Sequence, residues 1–533
     1  MLSRRSPAIG VLAASLLLGL ACGVETAAGY EVEEVPLTQI SADLGSGKTT
    51  SVEITQAYIA RIKAYDGALN AIIAIAPDAL SQAKASDARR KAGRSRGPLD
   101  GVPILLKDNI DAKGMPTTAG SFALKQNYPL QDSEVARRLR AAGAILLGKT
   151  NLDQFATFRS TRSFYGSTVG GTPHNPYALD RTASGSSNGP GIAAAVSFAA
   201  ATVGSDTTGS IIAPASHMGL VGMRPTIALI SRRGIVPVSL SQDTAGPMAR
   251  SVADAAALLS VLAGTDAGDA ASREADAHRT DYLKGLNRSA LKGTRIGVVR
   301  HVMDEDKRTA ALLDAALAVM VREGATPVEI PVHELEDLYP EQLALMVYEF
   351  KEDLETYLAR TPPAVKIRTY ADLMTFNRTD PRERMHGQEL FEQSLASGGR
   401  AAPDYAKTLE YARRRAGPEG LGRAMQKHNV AALVMLAFGP AAKIVPDGSV
   451  DVSFVSAADK GKTPIHGSGI AALARYPDLT VPMGELDGLP VGISFIGPEW
   501  SEQTLLSLGY AYEQAAHPRS PPPALKPAPK ANL

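Results

Sequence analysis

Between Gly101 and Gly246 the chain repeats one texture: short apolar runs (Val102 to Leu106, Ala144 to Leu147, Ala199 to Val203) separated by Gly/Ser/Thr-rich loops and by helices such as Glu134 to Ala142. That alternation indicates an α/β sheet. A strand from Thr294 to Val299, a helix from about Lys307 to Glu323 and a strand near Pro327 to Pro331 continue the scheme. Val430 to Leu436 and Leu479 to Ile496 return to strand texture, and Glu502 to Ala515 reads as a last amphipathic helix. Ahead of the sheet, Leu37, Ile40 and Leu44, then Ser51 to Ile62, place apolar residues three and four apart and predict an N-terminal helical layer. The charged stretch from Leu335 to about His428 reads as a helical cap or insertion over the core. No linker divides the middle, so one domain is expected over residues 36–517.

The ends read differently. Arg4-Arg5 precede an uncharged run from Ile9 to Ala21 that is too short to span a bilayer, the pattern of a removable export leader over residues 1–28. Small residues permit cleavage after Gly23 or after Ala28. Cys22, the only cysteine, would be a lipidated first residue in an alternative reading, although Gly19 stands where a Leu is expected. A mature chain without cysteine needs no disulfides and suits a bacterial periplasm as well as a cytosol. The Pro-rich tail, 518–533, is expected to be extended and mobile. With 56 basic against 55 acidic residues there is no global field to draw nucleic acid or an anionic membrane, and neither is expected as a partner.

Three segments carry chemistry. Val102 to Ile110 puts Lys107 at the end of an apolar strand, where burial would disfavour the ammonium and make the side chain a base; in isolation the segment reads as a snorkelling surface lysine. Ser184-Gly185-Ser186-Ser187-Asn188-Gly189 reads as a flexible linker, and it also contains the Gly-x-Ser-x-Gly spacing of a nucleophile elbow centred on Ser187. An elbow demands a strand immediately before it, and Tyr177 to Thr182 has neither alternation nor an apolar run. Gly204 to Ala215 leaves an apolar run and turns sharply, aiming backbone N–H groups at one point beside Ser210; the bland alternative is a capped strand-to-helix turn.

Together these segments resemble the amidase-signature family, with Lys107, Ser186 and Ser210 at the family's motif positions and the two serines 24 positions apart. The resemblance covers most of the mature chain, including Gly120-Ser121, Ser241 to Arg250, Val481-Pro482 and Gly488 to Gly492. Phe158 to Arg162 and Asn175 to Arg181 look more like the peptide-amidase branch than the tRNA-dependent amidotransferase branch. The resemblance implies an α/β fold with a central mixed sheet covered on both faces by helices. It also implies a Ser-Ser-Lys triad in which neutral Lys107 takes a proton from Ser186, which takes one from Ser210, the nucleophile. Gly185-Ser186 would be a cis peptide, and the N–H groups of Thr207, Thr208, Gly209 and Ser210 would form the oxyanion hole. No cofactor is implied.

The family pattern is broken in places. Asn188 and Thr208 stand where smaller residues are usual, Met435 to Ala441 replaces a more usual strand end, and Ile211 and Ile212 supply no arginine for a substrate carboxylate. The leading expectation is an exported amidase acting on C-terminally amidated peptides, with aryl or aliphatic amides next. The alternatives are a catalytically silent binding protein and a cytosolic glutaminase subunit. His174, His217 and His466 show no metal-ligand spacing. Asp243 and Arg250 are expected to hold the core as paired charges and not to transfer protons, and Trp500 to pack.

Overall fold

The computed structural model describes residues 29–160, 165–301, 307–444 and 467–525; the segment expected to be a leader, Arg162, His466 and the end of the tail lie outside them. Eleven strands form one sheet: β1 (Ile72–Ile75), β2 (Pro103–Lys107), β3 (Ile145–Thr150), β4 (Ala201–Asp206), β5 (Val221–Arg224), β6 (Thr244–Ala249), β7 (Arg295–Val299), β8 (Thr326–Ile330), β9 (Ala432–Phe438), β10 (Asp478–Leu486) and β11 (Leu489–Ile496). Their order is β1-β3-β2-β4-β6-β5-β10-β11-β9-β7-β8. Two parallel blocks, β3-β2-β4 and β9-β7-β8, are joined through antiparallel strands, which makes the sheet mixed, as expected.

The strand ends follow local chemistry. β10 and β11 are joined across Asp487-Gly488, both at positive φ, the two-residue turn whose twist matches a hairpin. Ser133 and Ser251 cap the helices Glu134–Ala141 and Val252–Leu262 by accepting from the N–H of Ala136 and Asp254. These helices, with Lys307–Arg322 and Glu502–Ala516, flank the sheet together with Asn188–Ala195, Ile212–His217 and Gly467–Ala474.

Two elements differ from expectation. The segment Ser184 to Gly189, which reads as a flexible linker, leads into a small-residue helix, Asn188–Ala195, that ends before Ser197, where φ is 57, and the alanines after it lead into β4; a run of small apolar residues has no period to mark the change. β6 carries Gly246 and Pro247 yet is fully buried between β4 and β5, where proline is normally excluded.

The expected helical insertion is present as Tyr339–Leu358, Tyr370–Thr379, Glu389–Ala396, Tyr405–Ala416 and Gly422–His428. It has its own apolar cluster, in which Phe350, Tyr370 and Phe391 pack on Phe155 and Phe158 of the loop after β3. A buried ion pair between Arg159 and Glu383 ties that loop to the insertion. In the tail, Arg519 pairs with Glu34 and the Ser520 carbonyl accepts from Tyr177 at 2.7 Å, so its described part is extended but tied to the body.

Candidate active site

β2 ends on Lys107 and β4 on Asp206, and because β2 and β4 run parallel their C-terminal ends open on the same edge of the sheet. Lys107 is fully buried. Its Nζ lies 2.7 Å from Ser186 Oγ, 3.0 Å from Ser205 Oγ and 3.2 Å from the Ser205 carbonyl. A neutral amine has two hydrogens and one lone pair, which matches two bonds to Ser205 and one accepted from the Ser186 hydroxyl. Burial pulls the Lys107 pKa from its ordinary 10.5 to about 7, against the upward pull of the more distant Asp153, Asp206 and Asp243.

Lys149, at the end of neighbouring β3, is equally buried, but its Nζ lies 3.3 Å from Asp108 and donates to the Pro116 carbonyl at 2.8 Å. The Asp108 carboxylate offsets part of the burial that lowers the Lys149 pKa, whereas Lys107 touches only hydroxyl and carbonyl oxygens. Local sequence does not distinguish these two lysines.

The Gly185-Ser186 peptide is cis. Ser186 is buried, and its carbonyl accepts from the Asp153 N–H at 3.1 Å. Ser187, the elbow candidate, is buried and donates its hydroxyl to the Ser205 carbonyl at 3.0 Å, and no strand precedes it. Its N–H donates to the Ser210 carbonyl at 3.2 Å, which fastens the two serine-bearing loops to each other. Ser210 and Thr208 are half-buried, unlike the enclosed Ser186.

One expected oxyanion donor is committed elsewhere. The Gly209 N–H donates to Asp206 Oδ1 at 2.8 Å, while Ile211 N–H donates to Oδ2 at 2.6 Å. Asp206 therefore sets the curvature of the loop from the inside. Its charge is met by Arg224, fully buried on β5, which donates to Oδ1 at 2.6 Å and to the Gln242 carbonyl at 2.6 Å. Neither Asp206 nor Arg224 was singled out by sequence reasoning; the adjacency of β4, β6 and β5 is what brings them together.

The departures from the family pattern acquire physical content. Asn188 is fully buried and does not crowd the pocket: its amide donates to Asp153 Oδ1 at 2.7 Å and its carbonyl accepts from Gly189 N–H. Asp153 also accepts from Gly166 N–H at 2.6 Å, and burial pushes its pKa up to about 7. Ile211 and Ile212 are buried and place no cation nearby. The altered end of β9 sets Phe438 beside Gly209, where an added Cβ would lie 3.3 Å from the ring.

Asp243 and Arg250 are not paired with opposite charges as expected. Asp243 accepts from the Thr207 hydroxyl and the N–H groups of Val238 and Ser239, and Arg250 donates to the carbonyls of Ala194, Ala199 and Val35. His217 is buried, which lowers its pKa to about 4 against the upward pull of the Gly439 carbonyl 2.8 Å from Nε2. Trp500 stacks on His278 with ring centres 4.2 Å apart.

The arrangement sets a buried amine against a buried serine hydroxyl, on an edge of the sheet where two serine-bearing loops are fastened together. Comparisons with known proteins place the chain in a family. The amidase family model matches residues 53–506. The chain is 32% identical over 530 residues to a probable amidase of Arabidopsis thaliana, covering 96% of each chain. It is 35% identical over 503 residues to a component of the glutamyl-tRNA(Gln) amidotransferase of Chloroflexus aurantiacus, covering 91% of this chain and 97% of that one. The structure matches the native peptide amidase of Stenotrophomonas maltophilia with a TM-score of 0.84 at 42% identity, over 92% of this chain and 98% of that one. The chain belongs to the amidase-signature family and is an enzyme acting on amides.

Proposed function

We propose that the chain hydrolyses linear carboxamides, preferably the C-terminal amides of peptides, with Ser210 as nucleophile, Ser186 as relay and Lys107 as base. The observation that carries this reading is the buried Lys107 amine 2.7 Å from Ser186 Oγ, with no carboxylate among its hydrogen-bond partners. Neutral Lys107 accepts the Ser186 proton as Ser186 accepts that of Ser210, whose oxygen attacks the amide carbon. The N–H groups of Thr207, Thr208 and Ser210 face the oxyanion; each such donor is worth about 2.7–4 kcal/mol of barrier. The proton returns through Ser186 to the leaving nitrogen, ammonia departs, and water releases the acyl group by the same relay. Similarity to a peptide amidase at 42% identity supports the peptide-amide class, and the apolar run after Arg4-Arg5, read as an export leader, would put that work outside the cytosol.

The test is ammonia release from an amidated dipeptide and from its free-acid control, with the mature chain and Ser210→Ala. Release from the amide alone, abolished in the variant, is the expected result. Because relatives at 35% identity include an amidotransferase component, free glutamine is run in parallel; ammonia from glutamine and none from the amidated peptide would replace this reading with a glutaminase.

A further inference from the structure

Behind the catalytic loop lies a void of about 10 Å³ lined by Asn109, Ser205, Thr207, Asp243, Val236 and Val238. That volume corresponds to about one water molecule, which also needs two to four polar partners. Such partners are present. Asn109 donates its amide to Ser205 Oγ at 2.9 Å, but its buried Oδ1 has no hydrogen-bond partner. Leaving a buried carbonyl oxygen without a donor is costly, so a donor is expected to meet it. Ser205 Oγ accepts from both Lys107 and Asn109, which leaves its own hydrogen to be donated. The void shares Arg232, Ile235, Pro237 and Leu240 with a larger cavity of about 470 Å³ that also reaches Asp111 and Tyr357.

We propose that this void binds one water molecule between Asn109 Oδ1 and Ser205 Oγ, and that the water links Lys107 to Asp243, giving the lysine a route for proton exchange on the side away from the substrate. The route rests on the base role assigned above to Lys107; the water site does not. In the exchange, protonated Lys107 gives a proton to Ser205 Oγ as the Ser205 hydroxyl proton passes to the water. The water in turn passes a proton to the Asp243 carboxylate, leaving a neutral amine, an intact hydroxyl, a water and a carboxylic acid. Asp243 suits the receiving end because burial pushes its pKa up to about 7, near that of Lys107. The charged groups facing this pair are Asp153 and Asp206 on the lysine side and Asp353 and Arg232 on the Asp243 side. Ser205 and Asn109 are positioning residues.

A high-resolution crystal structure of the mature chain tests the site, and Val238→Ile, whose added methylene fills the void without removing a polar group, tests the route. The expected results are an ordered water within hydrogen-bond reach of Asn109 Oδ1, its loss in the variant, and kcat near neutral pH lower by about threefold or more, with KM unchanged and a reduced solvent deuterium effect. A dry void in the unsubstituted chain overturns the site. Water present but kcat and isotope effect unaltered in Val238→Ile overturns the route. If the mature chain cleaves no amide, the functional reading fails while the crystallographic arm still decides the site.

Discussion

The sharpest consequence of the buried lysine is a pH dependence. At a pH of about 7.5, a lysine at its ordinary pKa has roughly one amine in a thousand neutral, whereas one near 7 has roughly three in four, a gain of about 700-fold, or about 4 kcal/mol, in competent base. Burial in contact with hydroxyl and carbonyl oxygens alone is the cause. Lys107 is protonated and inactive at low pH, so kcat/KM on an amidated dipeptide should rise about tenfold per pH unit below 6 and level off by about 8. The rise is broadened because Asp153 and Asp243, both pushed up to about 7 by burial, hold the proton on Lys107 more firmly as they ionise over the same range. Lys107→Arg, which keeps a cation that does not deprotonate, should be inactive at every pH while still folding. A rate that climbs steadily past pH 9 would mean an ordinary lysine. A flat profile down to pH 5, or activity in Lys107→Arg, would remove the lysine from the base role altogether.

Further outcomes follow from the loops around it. Arg224→Met removes the cation that meets Asp206, and breaking such a buried pair should cost about 3–5 kcal/mol in denaturant unfolding; Asp206→Asn added to it should recover part of that loss, and strict additivity of the two would count against direct coupling. Gly185→Ala places a Cβ 1.7 Å from Asp153 Oδ2, so the relay loop must move; activity should fall by orders of magnitude, and unchanged kcat would contradict the placement of Asp153. Asn188→Ala takes a donor from Asp153 Oδ1 and should destabilise by about 1–3 kcal/mol, whereas a neutral or stabilising effect would return Asn188 to being mere bulk near the pocket.

What could be read in the linear chain was whatever local pattern specifies by itself. The strands β2, β3 and β4 betray themselves as apolar runs, and Lys107 at the end of one of them, with Ser186 and Ser210 in Gly/Ser loops, carries the resemblance to the family. β6 was hidden because Gly246 and Pro247 erase the strand signal, and only pairing with β4 and β5 on either side outweighs that local preference. The turn through Ser210 is legible as a Gly/Thr/Ser loop after an apolar run, but the commitment of the Gly209 N–H to Asp206 is not, because which N–H a carboxylate takes depends on the curvature of a closed loop. Arg224 looks like any charged residue until burial against Asp206 gives it a partner 18 positions away. Lys107 and Lys149 show the division most plainly. Each ends a buried strand, and nothing local separates them. Folding sets Asp108 against one, where the carboxylate offsets part of the burial that lowers the pKa of both, and sets the Ser186 hydroxyl against the other; only the tertiary fold decides which buried amine meets a serine, because those neighbours come from distant segments.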